Sequence, residues 1–253
     1  MIDKKSIWKR IKDTQIYASI FRHDYEDTQR NRILQIKSNI FLHIHPVRIP
    51  AHARKIRFTW CMGGMTFFLF LVEVITGILL MFYYRPVTEY AYLDMKYLEF
   101  DVPFGIILRN MHRWAAHLMV ATIMLHMLRV FLTGSYKPPR EFNWVVGVNL
   151  LVITFLLSFT GYLLPWDQLA YWAITVGTNM IRAMPFIGHE GPFAFANKYN
   201  DIRFVLLGGT GIGANALLRF YVLHIVVLPA AAIIFIGVHF WRIRKDGGIS
   251  RPL

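Results

Sequence analysis

Charge is scarce in this 253-residue chain. Asp, Glu, Lys and Arg make up 17% of it, against about 25% in an ordinary soluble domain. Cysteine is scarcer still, with Cys61 standing alone. A single thiol excludes an internal disulfide framework and the CxxCH signature of haem attachment. The glycines at 208, 209, 211 and 213 lack both the GxGxxG spacing and a preceding strand, so they form a flexible connection and not a nucleotide fingerprint. No cleavable leader is visible, because nearly sixty polar residues come before the first long apolar run.

What the chain has in excess is apolar sequence: 55% hydrophobic residues and a mean hydropathy of +0.39. These residues collect in four runs, about 59–84, 110–132, 142–164 and 217–241. Each has the roughly 20 residues needed to cross a ~30 Å hydrocarbon layer. A soluble enzyme is excluded, and the expected fold is an all-α membrane protein with a four-helix transmembrane bundle.

The net charge of +13 does not mark a nucleic-acid binder. Residues 1–58 carry +8, residues 129–141 carry +2 and the tail from Arg242 carries +3, so the remainder nets to zero. With four spans, all three basic segments fall on one side of the membrane, which the positive-inside rule makes cytoplasmic. Both termini are expected on that (n) side. The first span runs outward to the opposite (p) side, the second returns, the third goes out and the fourth returns.

Residues 1–57 read as a cytoplasmic-side basic tail and 58–253 as the bundle. Helical stretches are expected around 6–20 and 29–41. Ile7, Trp8, Ile11, Ile16 and Ile20 form part of an apolar stripe, as in an amphipathic helix lying on lipid headgroups. The long p-side loop 165–216 is aromatic enough over 165–204 to hold short packed helices.

The chemistry lies in the histidines. Of ten, five fall inside spans, where an ionisable group is costly and function is the default reading. His112 and His126 are 14 residues apart on the second span, and His224 and His239 are 15 apart on the fourth. At 1.5 Å and 100° per residue, each pair is separated by about 21–22 Å on nearly one face. Facing spans pair His112 with His224 near the p side and His126 with His239 near the n side. Two bis-imidazole sites stacked across the bilayer match two b-type haems. His117, about 140° round the helix from His112, is expected to hydrogen-bond within the bundle instead.

The first and third spans repeat the interval, with Gly63 and Gly77 on one and Gly147 and Gly161 on the other, 14 apart in each case. A residue without a side chain lets a flat macrocycle approach neighbouring backbone. Generic small-residue packing is the competing reading for these glycines. Arg109 and Arg113 on the p side, and Arg129, Arg242 and Arg244 on the n side, are placed to receive haem propionates, though ordinary positive-inside flanking accounts for many such residues. Glu73 is a carboxylate in mid-membrane, four residues before Gly77. It is either held neutral by desolvation or used in proton transfer.

The stretches MHRWAAHLMV, LHMLRVFLTGSYKPPREFNWVVGV, FTGYLLPWDQLAYWA, LLRFYVLHIVVLPAAA and GVHFWRIRKDGGISRPL are similar to cytochrome b of the quinol-oxidising cytochrome bc complexes, in its short, split b6-type form. The resemblance covers about residues 50–253. It implies His112 and His224 as ligands of a p-side haem b, and His126 and His239 as ligands of an n-side haem b. Cys61, in WCMGGMT, matches the b6-type cysteine that holds an extra haem by one thioether bond, a covalently attached c-type haem that needs no CxxCH. Pro165–Gln168 and the helix after it resemble the border of the quinol-oxidation pocket. The PEWY motif that completes that pocket is absent here and belongs to a separate subunit. Departures lie in the long His- and Arg-rich tail, at Glu73, where the family is uncharged, and in a longer 182–216 loop.

The resemblance further implies an energy-transducing membrane, expected to be bacterial cytoplasmic, and a dimeric complex embedded in membrane lipid. A Rieske iron–sulfur protein takes one electron from quinol at the p side. The second passes through the two b haems and the Cys61 haem to a quinone, and a c-type cytochrome or similar acceptor receives the output. A dihaem anchor of a hydrogenase or dehydrogenase is the redox alternative, without a Rieske partner or covalent haem. A transporter or scaffold with proton- or metal-binding histidines is the non-redox one.

Overall fold

Runs too apolar for a soluble core become long helices in the computed structural model of the chain, which describes residues 9–10, 12–14, 17, 27–38, 51 and 55–249. Among the described residues every regular element is helical. Two units are distinguished, Met1–Ile49 and Pro50–Leu253. In the first, α1 (Gln29–Ser38) is a polar helix. The Thr28 hydroxyl accepts the Asn31 N–H at 3.2 Å, and Arg32 grips Asp27 through two bonds of 2.5 and 2.7 Å. The apolar stripe expected at Ile7, Trp8, Ile11, Ile16 and Ile20 lies outside the described residues.

The second unit opens with a single turn, α2 (Ile56–Thr59), and then α3 (Met62–Met81). The first span is therefore not continuous from residue 59. Trp60 and Cys61 both take left-handed backbone, φ 50° and 52°, and break the helix between them. For residues carrying a Cβ this conformation costs about 1–2 kcal/mol each. After α4 (Ala91–Phe100), α5 (Gly105–Leu132) starts five residues earlier than the apolar run alone suggested. Then follow α6 (Glu141–Leu163), α7 (Gln168–Arg182), α8 (Ile202–Leu207) and α9 (Ala214–Lys245). The expected short helices of the long loop are α7 and α8. Asp167 and Asp201 start them by accepting the Ala170 and Phe204 N–H groups at 2.8 and 2.7 Å.

The four long helices, α3, α5, α6 and α9, have 20, 28, 23 and 32 residues. The shortest spans about 30 Å at 1.5 Å per residue. Their outer faces expose large apolar side chains such as Phe68, Ile75, Leu118, Phe155 and Ile234, a surface suited to hydrocarbon and not to water. α9 is not uniform. Leu223–Val227 is a π segment, and Pro229 follows two residues later. A proline inside a helix has no N–H for the carbonyl four residues back and crowds it with its ring. The wider turn moves that carbonyl aside.

The bundle is built as two helix pairs, α3 against α5 and α6 against α9, while α5 and α9 make little direct contact. Loop-side ties close one end. The Tyr84 hydroxyl donates to the Leu164 carbonyl at 2.6 Å. Buried Asp94 on α4 accepts from the Arg85 backbone N–H at 2.8 Å and from its guanidinium at 2.6 Å.

Candidate functional site

The histidines line the slot between α5 and α9. At the end nearer α4 and α7, which we call the upper tier, the His112 and His224 rings face each other with centroids 6.2 Å apart and planes at 78°. Imidazole nitrogens bind metals at about 2.0 Å, which puts two rings on opposite sides of one iron at a centroid spacing of roughly 6.3 Å. The observed gap fits a single six-coordinate iron. Since both ring planes contain the bonding axis, a perpendicular arrangement serves as well as a parallel one.

Both Nδ1 atoms face oxygen acceptors. The Thr76 hydroxyl donates to the Val72 carbonyl at 2.7 Å, so its oxygen is left to accept from His112 Nδ1 at 2.9 Å. The Thr160 hydroxyl likewise donates to Leu156 at 2.8 Å and accepts from His224 Nδ1 at 3.1 Å. The Leu157 carbonyl, which can only accept, lies 3.1 Å from the same nitrogen. Both rings therefore carry their proton on Nδ1, and the Nε2 lone pairs remain for a metal.

Each of the four glycines faces one histidine. A methyl group added at Gly77 would lie 3.3 Å from His112 Cε1, and one at Gly161 only 2.6 Å from His224 Cε1. At Gly63 it would lie 3.3 Å from His126 Cε1, and at Gly147 3.7 Å from His239 Cε1. The glycines thus make room for the imidazoles themselves, a closer role than clearance for a macrocycle edge. The lower tier is thus formed by His126 beside Gly63 and His239 beside Gly147.

The 14- and 15-residue intervals also reconcile. A π segment holds one more residue than the α-turns it replaces, and Leu223–Val227 contains His224 and runs into the start of the His224–His239 interval. Its fifteen steps therefore cover the length and rotation of fourteen, matching α5. Midway between the tiers, one buried residue from each long helix closes the slot: Phe70, Met119, Ile153 and Ala232. This apolar layer separates the tiers and keeps water out of the middle.

His117 departs from expectation. It does not turn into the bundle but lies on the exposed face of α5, edge-on to Trp114 at 5.5 Å. Five residues from His112, it points away from the slot. Arg109 is engaged by Glu99 and lines a cavity of about 570 Å³ with Lys96, Trp166 and Asp167. Arg113 is exposed and Arg244 half-buried. Arg129 reaches toward His126 Nδ1 at 3.5 Å, and Arg242 pairs with Asp246 at 2.9 Å.

Cys61 is exposed beside the lower tier, and a methyl group at Gly64 would lie 3.1 Å from its Sγ. The two glycines of WCMGGMT therefore divide their work, Gly63 for His126 and Gly64 for the thiol. Thr76, Thr160 and Gly64 were not singled out from the sequence. The signal for the threonines was there, since both sit in a Thr-Gly dipeptide ending on an interval glycine.

Among the described residues no three His, Cys, Asp or Glu side chains converge on a point. Two imidazoles facing one point are the protein donor pair of a bis-histidine haem. Four membrane-crossing helices with two tiers of glycine-backed imidazoles define a membrane cytochrome of the b class. Residues 49–247 match the description Cytochrome b/b6/petB, and the chain belongs to that family. It is 44% identical over 209 residues to the "Cytochrome b6" of Heliomicrobium gestii, covering 83% of this chain and 91% of that one. It is also 44% identical over 205 residues to the "Cytochrome b6" of Tupiella akineta, covering 81% and 88%. Among solved structures, a chain of a "Hyperthermophilic respiratory Complex III" matches with a TM-score of 0.68 and 28% identity over 75% of this chain. The present chain spans about half of that one, 48%.

Proposed function

We propose that this chain is the haem-bearing electron-transfer subunit of a quinol:cytochrome c, or similar acceptor, oxidoreductase, coupled to proton translocation. The observation that carries the reading is the pairing of His112 with His224 at the spacing of one iron, with a Thr-Gly dipeptide behind each ring. Haems held by the two tiers supply one-electron relay stations near opposite faces of the bilayer, and a further haem on Cys61 extends the relay at the lower face. The chain's own work is to hold, orient and insulate. Thr76 and Thr160 fix the ring tautomers, the glycines set ring approach, and the Phe70–Met119–Ile153–Ala232 layer excludes water between tiers.

At the lower end Cys61 would hold the further haem through a thioether bond from its Sγ. Exposure of the thiol and the cleared space at Gly64 support this role. At the upper end the cavity beside Pro165–Leu169 and α4 forms one wall of the quinol-oxidation region. A Rieske protein and a subunit carrying a PEWY-type motif complete it, in a dimeric complex of an energy-transducing membrane, with both termini of this chain cytoplasmic.

Haem staining after denaturing electrophoresis, with a pyridine haemochrome ratio, tests this. A band that keeps its stain, with two b haems per c haem, is the expected result, and Cys61→Ser should abolish the stain while leaving both b haems. A chain without a Soret band would refute the electron-transfer role. Colour lost on denaturation would remove only the covalent haem.

A further inference from the structure

The two halves of the upper tier are built alike except at one position. On α3 the order is Glu73, Thr76, Gly77, and on α6 it is Leu157, Thr160, Gly161. Each threonine accepts from a histidine Nδ1, and each glycine faces the same ring. Three residues before the threonine, α6 has an apolar side chain and offers only its backbone carbonyl, 3.1 Å from His224 Nδ1. At the equivalent place α3 has a carboxylate, and Glu73 Oε2 lies 3.0 Å from His112 Nδ1. The Glu73 side chain is mostly buried, 13% exposed, and its other oxygen is sealed from solvent with no hydrogen-bond partner. Among the described residues, the close polar contact of this carboxylate is the ring.

We propose that Glu73 is a positioning residue that sets the reduction potential of the upper-tier haem through His112. Thr76 takes the directed bond from the ring N–H, and Glu73 places a carboxylate oxygen against the same nitrogen from the flank. Acceptors on the far nitrogen of a metal-bound imidazole make it a stronger donor, and ligand basicity and nearby charge are levers on haem potential. Electron density pushed toward the iron favours its oxidised state. The effect is confined to one ligand of one tier, because the lower pair lies about 21 Å away along the helix. The inference rests on haem occupying the upper tier.

The test is potentiometric titration of the purified complex, wild type against Glu73→Gln, after both preparations are shown to hold two b haems per chain. Failure of that haem count in the wild type would refute the function proposed above, whereas the potentials test Glu73 alone. The variant is expected to shift the reduced-to-oxidised ratio of the upper-tier haem about tenfold toward reduced, 59 mV for a one-electron couple, with the lower-tier haem unmoved. An unchanged upper-tier potential, or an equal shift of both haems, overturns the proposal. Should the amide variant fail to keep its haems, Glu73→Asp withdraws the oxygen by one methylene and keeps the chemistry. A smaller shift in the same direction supports the assignment, and no shift overturns it.

Discussion

The four interval glycines allow a graded experiment. A methyl group introduced at Gly161 sits 2.6 Å from His224 Cε1 and 3.2 Å from both ring nitrogens. Carbon atoms pack best at about 3.5–4.0 Å, so the ring must retreat by about 1 Å. Such a retreat displaces His224 from its place opposite His112, where the gap is matched to one iron at 6.2 Å. Nor can the ring swing aside, since Thr160 and the Leu157 carbonyl hold its Nδ1. Overpacking of this kind costs about 1–3 kcal/mol, a loss of roughly 5- to 150-fold in haem affinity at the upper tier. At Gly147 the same methyl meets His239 at 3.7 Å, ordinary contact, and Gly63 and Gly77 at 3.3 Å fall between. The Ala variants should therefore lose haem in the order 161, then 63 and 77, then 147, the last close to wild type. Pyridine haemochrome content per chain, with redox difference spectra to separate the tiers, measures it. A Gly147→Ala loss equal to that of Gly161→Ala would refute the reasoning that ring contact sets the order.

Two further outcomes follow from hydrogen bonds outside and inside the slot. The Arg85 guanidinium bonded to Asp94 holds its carboxyl below the usual carboxylate range. A lowered folded value means the contribution to stability is present above pH ~4 and disappears as pH falls through that lower value. Asp94→Asn should thus lower the Tm of the detergent-solubilised complex at pH 7, and the difference should shrink as the pH falls below the usual carboxylate range. Thr160→Val removes one of the two acceptors on His224 Nδ1 and leaves the Leu157 carbonyl, a loss of about 0.5–1.5 kcal/mol. It should alter the absorption and the low-spin EPR signal of the upper-tier haem while leaving the lower-tier signals in place; changes in both tiers would count against tautomer control by Thr160.

Much of this site is visible in the letters because membrane helices make position along the chain a ruler. Apolar length marks α3, α5, α6 and α9, and the rarity of charge makes His112, His126, His224 and His239 conspicuous. The repeated interval of 14 at Gly63–Gly77 and Gly147–Gly161 then follows from a common helix rise. What stayed hidden was decided by contact and not by period. Which side of α5 His117 takes depends on the packing of α3 against one face and lipid against the other. The break at Trp60–Cys61 is backbone strain in residues that carry no glycine signal. Thr76 and Thr160 matter through one hydroxyl lone pair each, which composition does not register.

The widened turn at Leu223–Val227 leaves the fourth long helix phased separately at its two ends. His224, in the tract's first turn, keeps step with one tier and His239, beyond it, with the other, so the tract acts as slack taken up between two fixed marks. Deleting one residue while the tract reverts to α would keep both ends in step, whereas forcing it back to α with its residue count unchanged would leave one end in register and rotate the other by about 100°. Half the cytochrome could then be uncoupled from the rest without touching a single ligand.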